Sequence, residues 1–133
     1  MRRYLLDSGV LNDYVQRRGN VVERVRQAID RGIQVGTATP VVAELFAGAE
    51  GSATRLKNLD RLRHALAPMV AWPFDRPAAR EYGRIFAQLR RIGRPMQEMD
   101  VQIAAIANTI GSCQVITYDS DFEAIPRLAV ERW

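Results

Sequence analysis

An apolar run, Tyr4-Leu5-Leu6, ends without transition on the carboxylate of Asp7, and after Ser8-Gly9 the hydrophobic pattern resumes at Val10 and Leu11. The run predicts a strand over Arg3–Asp7, and the spacing of Val10, Leu11, Tyr14 and Val15 predicts a helix from Ser8 to about Arg17. A strand that passes directly into a helix cannot fold back as a hairpin. The junction also poses a chemical question. An ionised carboxylate beside an apolar core is costly unless it caps a helix, pairs with a cation or ligates a metal. The remaining residues decide which of these Asp7 does.

The same alternation continues to the end of the chain. Asn20 is expected to cap a helix through Val21, Val22, Val25 and Ile29 that stops near Gly32, before a short strand at Ile33–Thr37. Thr39-Pro40 reads as a cap followed by a first-turn proline, opening a helix that carries Glu44. Ser52 is expected to cap the next helix, through Leu66, ahead of a third strand at Met69–Pro73. Asp75-Arg76-Pro77 opens a helix that ends at Gly93-Arg94-Pro95. Met99–Ile110 is an almost wholly apolar helix closed by Gly111. Val115–Asp119 repeats the opening theme, an apolar strand ending on an acid, and Leu128–Val130 is a last short strand. Strands alternating with helices predict one α/β domain over residues 1–133, with a mostly parallel central sheet of about five strands and helices on both faces.

Length and composition agree. A chain of 133 residues with 47% hydrophobic and 26% charged residues can bury a real core, which disfavours disorder and coiled coil. No apolar run approaches the roughly 18–20 residues that span a bilayer. The acid at position 7 comes too early for a signal-peptide apolar region, so the expectation is a cytoplasmic protein without a membrane partner. Cys113 is the single cysteine, read as a buried reduced thiol. The net charge of +4 is almost all arginine, with Lys57 the only lysine. Arginine suits forked recognition of phosphate, and genome composition would explain it equally well.

Acids stand where apolar residues are expected. Asp7 and Asp119 close strands, while Glu44 and Asp100 lie near the starts of helices. In parallel sheets the strand carboxyl ends and the helix amino ends share one edge, where ligands bind. Clustered carboxylates would take up protons unless a cation neutralised them. An all-oxygen set without histidine or cysteine suits Mg²⁺ or Mn²⁺, and phosphodiester hydrolysis by activated water. Taken singly, Asp7 and Asp119 serve equally well as cap and turn residues. Taken together, the four acids favour metal ligation, which leaves Ser8 to cap the first helix. Asp121 and Glu98 are additional candidates, as are Ser8 and Thr117 through their hydroxyls. Arg90, Arg91 and Arg94 suit either a nucleic-acid backbone or a solvated face with ion pairs to acids such as Glu81. His64 reads as a surface residue, and Trp72, Trp133, Phe46 and Phe86 read as core or interface.

The order Tyr4-Leu5-Leu6-Asp7-Ser8, Val41-Val42-Ala43-Glu44-Leu45, Met99-Asp100-Val101-Gln102-Ile103-Ala104-Ala105-Ile106-Ala107 and Val115-Ile116-Thr117-Tyr118-Asp119-Ser120-Asp121-Phe122 resembles the PIN domain. Within that superfamily it is similar to VapC-type toxins of toxin–antitoxin pairs. The resemblance implies a five-stranded parallel sheet and Mg²⁺- or Mn²⁺-dependent cleavage of RNA. It also implies a homodimer and a VapB-like antitoxin that blocks the site, in a higher-order complex. Asp7, Glu44 and Asp100 match the family's three most regular acids, and Asp119, or Asp121 in its place, matches the fourth. Two residues depart from the pattern: Gly9 and Tyr118 stand where the family often has asparagine. Those departures motivate a second reading, a non-catalytic domain whose acidic pocket receives an arginine from a partner. A third reading, a phosphoryl-acceptor domain with Asp7 as nucleophile, needs a second acid two residues after Asp7 and a late lysine, and the sequence has neither.

Overall fold

The computed structural model describes residues 1–133. It runs β1 (Arg3–Leu6), α1 (Ser8–Gln16), α2 (Val21–Asp30), β2 (Gln34–Ala38), α3 (Thr39–Glu50), α4 (Arg55–Leu66), β3 (Val70–Trp72), α5 (Arg76–Arg91), α6 (Glu98–Ile110), β4 (Cys113–Thr117), a 3-10 turn (Ser120–Ala124) and β5 (Ala129–Arg132). The five strands form one sheet in the order β3-β2-β1-β4-β5, and every neighbouring pair is parallel. Tyr4, Leu5 and Leu6 are all buried, as are Val115, Ile116 and Thr117. Successive strand residues face opposite ways, so burial without alternation means that both faces of the sheet are covered.

The central strand is β1, the first in sequence. Leu6 lies level with Thr37 of β2 on one side and Ile116 of β4 on the other. Strand order therefore reverses at the carboxyl end of β1. Gly36 permits the outer part of the sheet, because a Cβ there would stand 2.3 Å from the Val70 carbonyl oxygen and 2.9 Å from Trp72. Helix α6 is apolar nearly all round, with Val101 and Ile103–Ala107 buried, as expected of a helix enclosed by a core. Cys113 is free and buried, and burial pushes its thiol up to about 12, which makes it unreactive.

Several local expectations are corrected. The strands stop at Leu6 and Thr117, so Asp7 lies one residue and Asp119 two residues beyond them rather than being their last members. Ser8 does not cap α1. Asp7 does so itself, its Oδ1 accepting from the Val10 N–H at 3.0 Å. Thr39 is already helical and its hydroxyl accepts instead from the Phe74 N–H. Ser52 donates to the Ala49 carbonyl and accepts from Asn58, while α4 starts three residues later, at Arg55. Asn20 precedes α2 but makes no side-chain cap bond. Asp75 does cap α5, accepting from Ala78 N–H. Trp72 is buried, and Trp133 meets Tyr4 edge-on at 6.2 Å. Phe46 packs against the core from a partly buried position. Phe86 is 46% exposed and so is not a core residue.

Candidate active site

The reversal of strand order at β1 leaves a crevice beyond the strand ends, and Asp7 stands in it. The Asp7 N–H donates to the Ile116 carbonyl at 3.0 Å, which continues the sheet ladder by one residue. The side chain is only 7% exposed. Both carboxylate oxygens are held: Oδ1 by the Val10 N–H at 3.0 Å and Oδ2 by the Thr117 hydroxyl at 2.5 Å. Burial raises the Asp7 carboxyl above the usual range, and the bonds from Thr117 and Val10 act against it. Asp7 thus caps a helix and still keeps lone pairs on both oxygens, since a carboxylate offers roughly four acceptor positions. Capping and ligation are compatible at this residue.

Thr117 links Asp7 to the second acid. Its hydroxyl donates to Asp7 and accepts from the Asp119 N–H at 2.9 Å. Asp119 in turn accepts from the Asp121 N–H at 2.8 Å, starting the 3-10 turn. Asp100 enters from the third position of α6, half-buried. Its carboxyl is pushed up to about 6, first by burial and then by the charges of Asp7, Asp119, Asp121 and Glu44. Five carboxylates therefore share one field. Glu44 is solvent-exposed, against the expectation of a buried acid. Glu98, the first residue of α6, is not among the charges acting on Asp100, and its charge bears on Tyr82 instead.

The remaining predicted residues lie around this group. Ser8 is half-buried beside Gly9 at the start of α1. Arg90 and Arg91 are exposed in the last turn of α5. Arg94 reaches Asp121 at 3.5 Å, which places one of the three arginines at the acidic rim. His64 is exposed, as predicted. The two departures from the family pattern prove to be neighbours. A Cβ on Gly9 would meet the Tyr118 ring at 3.7 Å and Asp7 Oδ1 at 3.8 Å. The Tyr118 hydroxyl donates to Asp13 at 2.8 Å, and its pKa rises to about 12 through burial and that bond. Asp13 was not legible as a partner, because nothing local marks a carboxylate 105 residues away.

The donor set can be tested against a divalent cation. It is wholly oxygen, and the repulsion that adds to burial in lifting Asp100 is what a bound dication would relieve. No three histidine, cysteine or acidic side chains stand close enough to hold an ion jointly. Charges act over longer distances than coordination bonds, so both observations hold together. The residues fit a hydrated Mg²⁺ or Mn²⁺ ion, which keeps several of its waters, better than a dehydrated cage.

Known proteins are similar to this chain in sequence and fold. The sequence model of the PIN domain family matches residues 4–128. Ribonuclease VapC2 of Haemophilus influenzae is 28% identical over 134 residues, spanning 100% of this chain and 99% of the relative. The tRNA(fMet)-specific endonuclease VapC of Shigella flexneri is 28% identical over 133 residues, with the same two coverages. A chain of the DNA-bound VapBC structure from Salmonella typhimurium superposes with a TM-score of 0.87 at 27% identity, covering 100% of this chain and 99% of that one.

Proposed function

The chain belongs to the PIN domain family, and on that premise we propose that it is an endoribonuclease of the VapC type, the toxin of a toxin–antitoxin pair. The observation that carries the proposal is the gathering of Asp7, Asp119, Asp121 and Glu44 around Asp100, whose carboxyl is raised to about 6 by burial first and by those charges next, at the point where strand order reverses. Capping accounts for Asp7 and Asp119 one at a time, but not for the gathering of five acids, which suits a reaction in which positive charge meets a phosphodiester. Full-length relatives named as a ribonuclease and a tRNA endonuclease support the same reading.

Asp7, Asp100 and Asp119 would hold a hydrated Mg²⁺ or Mn²⁺ ion largely through its waters, with Glu44 and Asp121 further out. Bound there, the ion supplies positive charge against the phosphodiester oxygens and acidifies the attacking water. The chain's own contribution is positional. Val10 and Thr117 fix both Asp7 oxygens, Thr117 also fixes the backbone of Asp119, and the start of α6 carries Asp100. Arg94, with Arg90 and Arg91 beyond it, would bind the RNA backbone outside the acidic group. Residues 1–133 act as one nuclease unit in the cytoplasm, as a homodimer. A VapB-like antitoxin covers the acids until it is removed; the VapBC complex among the structural relatives supports this partner.

The purified chain is expected to cleave RNA with Mg²⁺ or Mn²⁺, to stop with chelator, and to lose cleavage as Asp7→Asn or Asp100→Asn. Retained cleavage by those variants, folded by circular dichroism, would overturn the assignment.

A further inference from the structure

Beside the acids the surface opens into a cavity of about 500 Å³ bounded by α1, α3 and α4. Ser8, Gly9 and Glu44 line it, so it is continuous with the acidic site. Its other polar walls come from Asn12 and Gln16 of α1 and from Asn58 and Arg61 of α4. Val15, Leu45 and Leu62 supply apolar surface between them. A space of this size accommodates a ligand as large as a nucleotide.

The hydrogen bonds in the cavity limit what it can take. Arg61 is engaged, donating to Gln16 Oε1 at 2.9 Å and joining α4 to α1. Asn58 donates through Nδ2 to Ser52 at 2.9 Å, which leaves its Oδ1 without a donor. Asn12 is half-buried, and its amide makes no hydrogen bond within the chain. An unengaged amide presents a donor and an acceptor side by side, the pattern that a nucleobase edge answers. A phosphate fits poorly, because the only cation is Arg61 and the Glu44 carboxylate opposes a second anion. A neutral base with amino and carbonyl groups meets neither obstacle.

We propose that this cavity binds one unstacked nucleobase of single-stranded RNA beside the cleaved phosphodiester, with Asn12 and Asn58 reading its hydrogen-bonding edge. The proposal rests on the ribonuclease reading and adds a specificity-determining site to it. Neither asparagine belongs to the acidic group, so their loss changes which RNA is cut rather than whether any is cut.

The test compares cleavage of short RNAs that differ only at the nucleotides flanking the cut. Asn12→Ala and Asn58→Ala are each expected to lower discrimination at one flanking position by about 10-fold, through KM and with cleavage of the poorest substrate unchanged. Gly48 also lines the cavity and has open space where a side chain would begin. Gly48→Leu replaces a helical glycine, improves helix propensity and fills the space, so it should weaken all the RNAs. Nucleoside monophosphates added to the metal-free wild-type protein should shift the side-chain amide NMR signals of Asn12 and Asn58. Unchanged base preference in all three variants, in a protein that cleaves RNA, overturns the base site and leaves the ribonuclease standing. Loss of antitoxin binding without any change in preference marks the cavity as a protein-docking surface, which also overturns it. Absence of cleavage by the wild type with either metal overturns the ribonuclease reading itself.

Discussion

At Asp7 one side chain serves two purposes, because its oxygens are held from different directions by Val10 and Thr117. Sequence reasoning framed capping and ligation as alternatives, since a linear pattern cannot show how many lone pairs remain. It singled out Thr117, but the link through its hydroxyl to Asp7 and Asp119 needed two strands brought side by side. Removing that hydroxyl as Thr117→Val should preserve the fold and lower cleavage by about 10- to 100-fold, as loss of a group that orients a metal ligand does. Single-turnover rates beside a thermal melt will separate the two effects. Asp100 makes the opposite kind of prediction. Its carboxyl titrates near 6 in the folded chain, above the unfolded value of about 3.9. The folded state therefore holds the proton more tightly. The resulting stabilisation is present below pH 4 and is lost as pH rises through about 6. Solvent reaches this half-buried group, so the effect is on the order of 1 kcal/mol. Melts in chelator from pH 4 to 8 should show that decline in the wild type and a smaller one in Asp100→Asn, where the raised carboxyl of Asp7 remains. The same substitution that ends cleavage should make the metal-free protein more stable at neutral pH.

At the scale of elements, periodicity located every strand and helix, and boundaries failed where side chains were recruited elsewhere. Thr39 looked like a cap, but its hydroxyl serves the Phe74 N–H, 35 residues away. Ser52 looked like a cap and instead closes the turn after α3. Asp75 performed as expected because no competing donor reaches it before Ala78. Accordingly, Asp75→Ala should cost about 1 kcal/mol and Asn20→Ala close to nothing, as read by urea denaturation. Gly36 was read only as part of a strand, and its reason lies across the sheet in the Val70 carbonyl. Gly36→Ala should separate β2 from β3 and destabilise the fold by about 1–3 kcal/mol, visible first as faster hydrogen exchange in β3.

Over the whole molecule, four acids spread from position 7 to position 119 were legible as a group because one architecture brings strand ends and helix starts to one edge. What was not legible was that Glu44 is exposed, or that the acids stop short of forming a closed cage. Because the acids repel one another, Mn²⁺ should raise the melting temperature of the wild type and leave Asp100→Asn nearly unchanged, by the mass action of a ligand that prefers the folded state. The net charge of +4 predicts RNA affinity that falls steadily with added salt. The position of β1 has a further consequence, for the order of events during synthesis. Of the five strands the central one is synthesised before the others, and it must wait for β4, whose residues pair with it from more than a hundred positions later. Asp7 acquires its Thr117 partner only then. A ribosome stalled before residue 113 should therefore carry a chain that cannot cut RNA, because neither β4 nor Thr117 has yet been added to it.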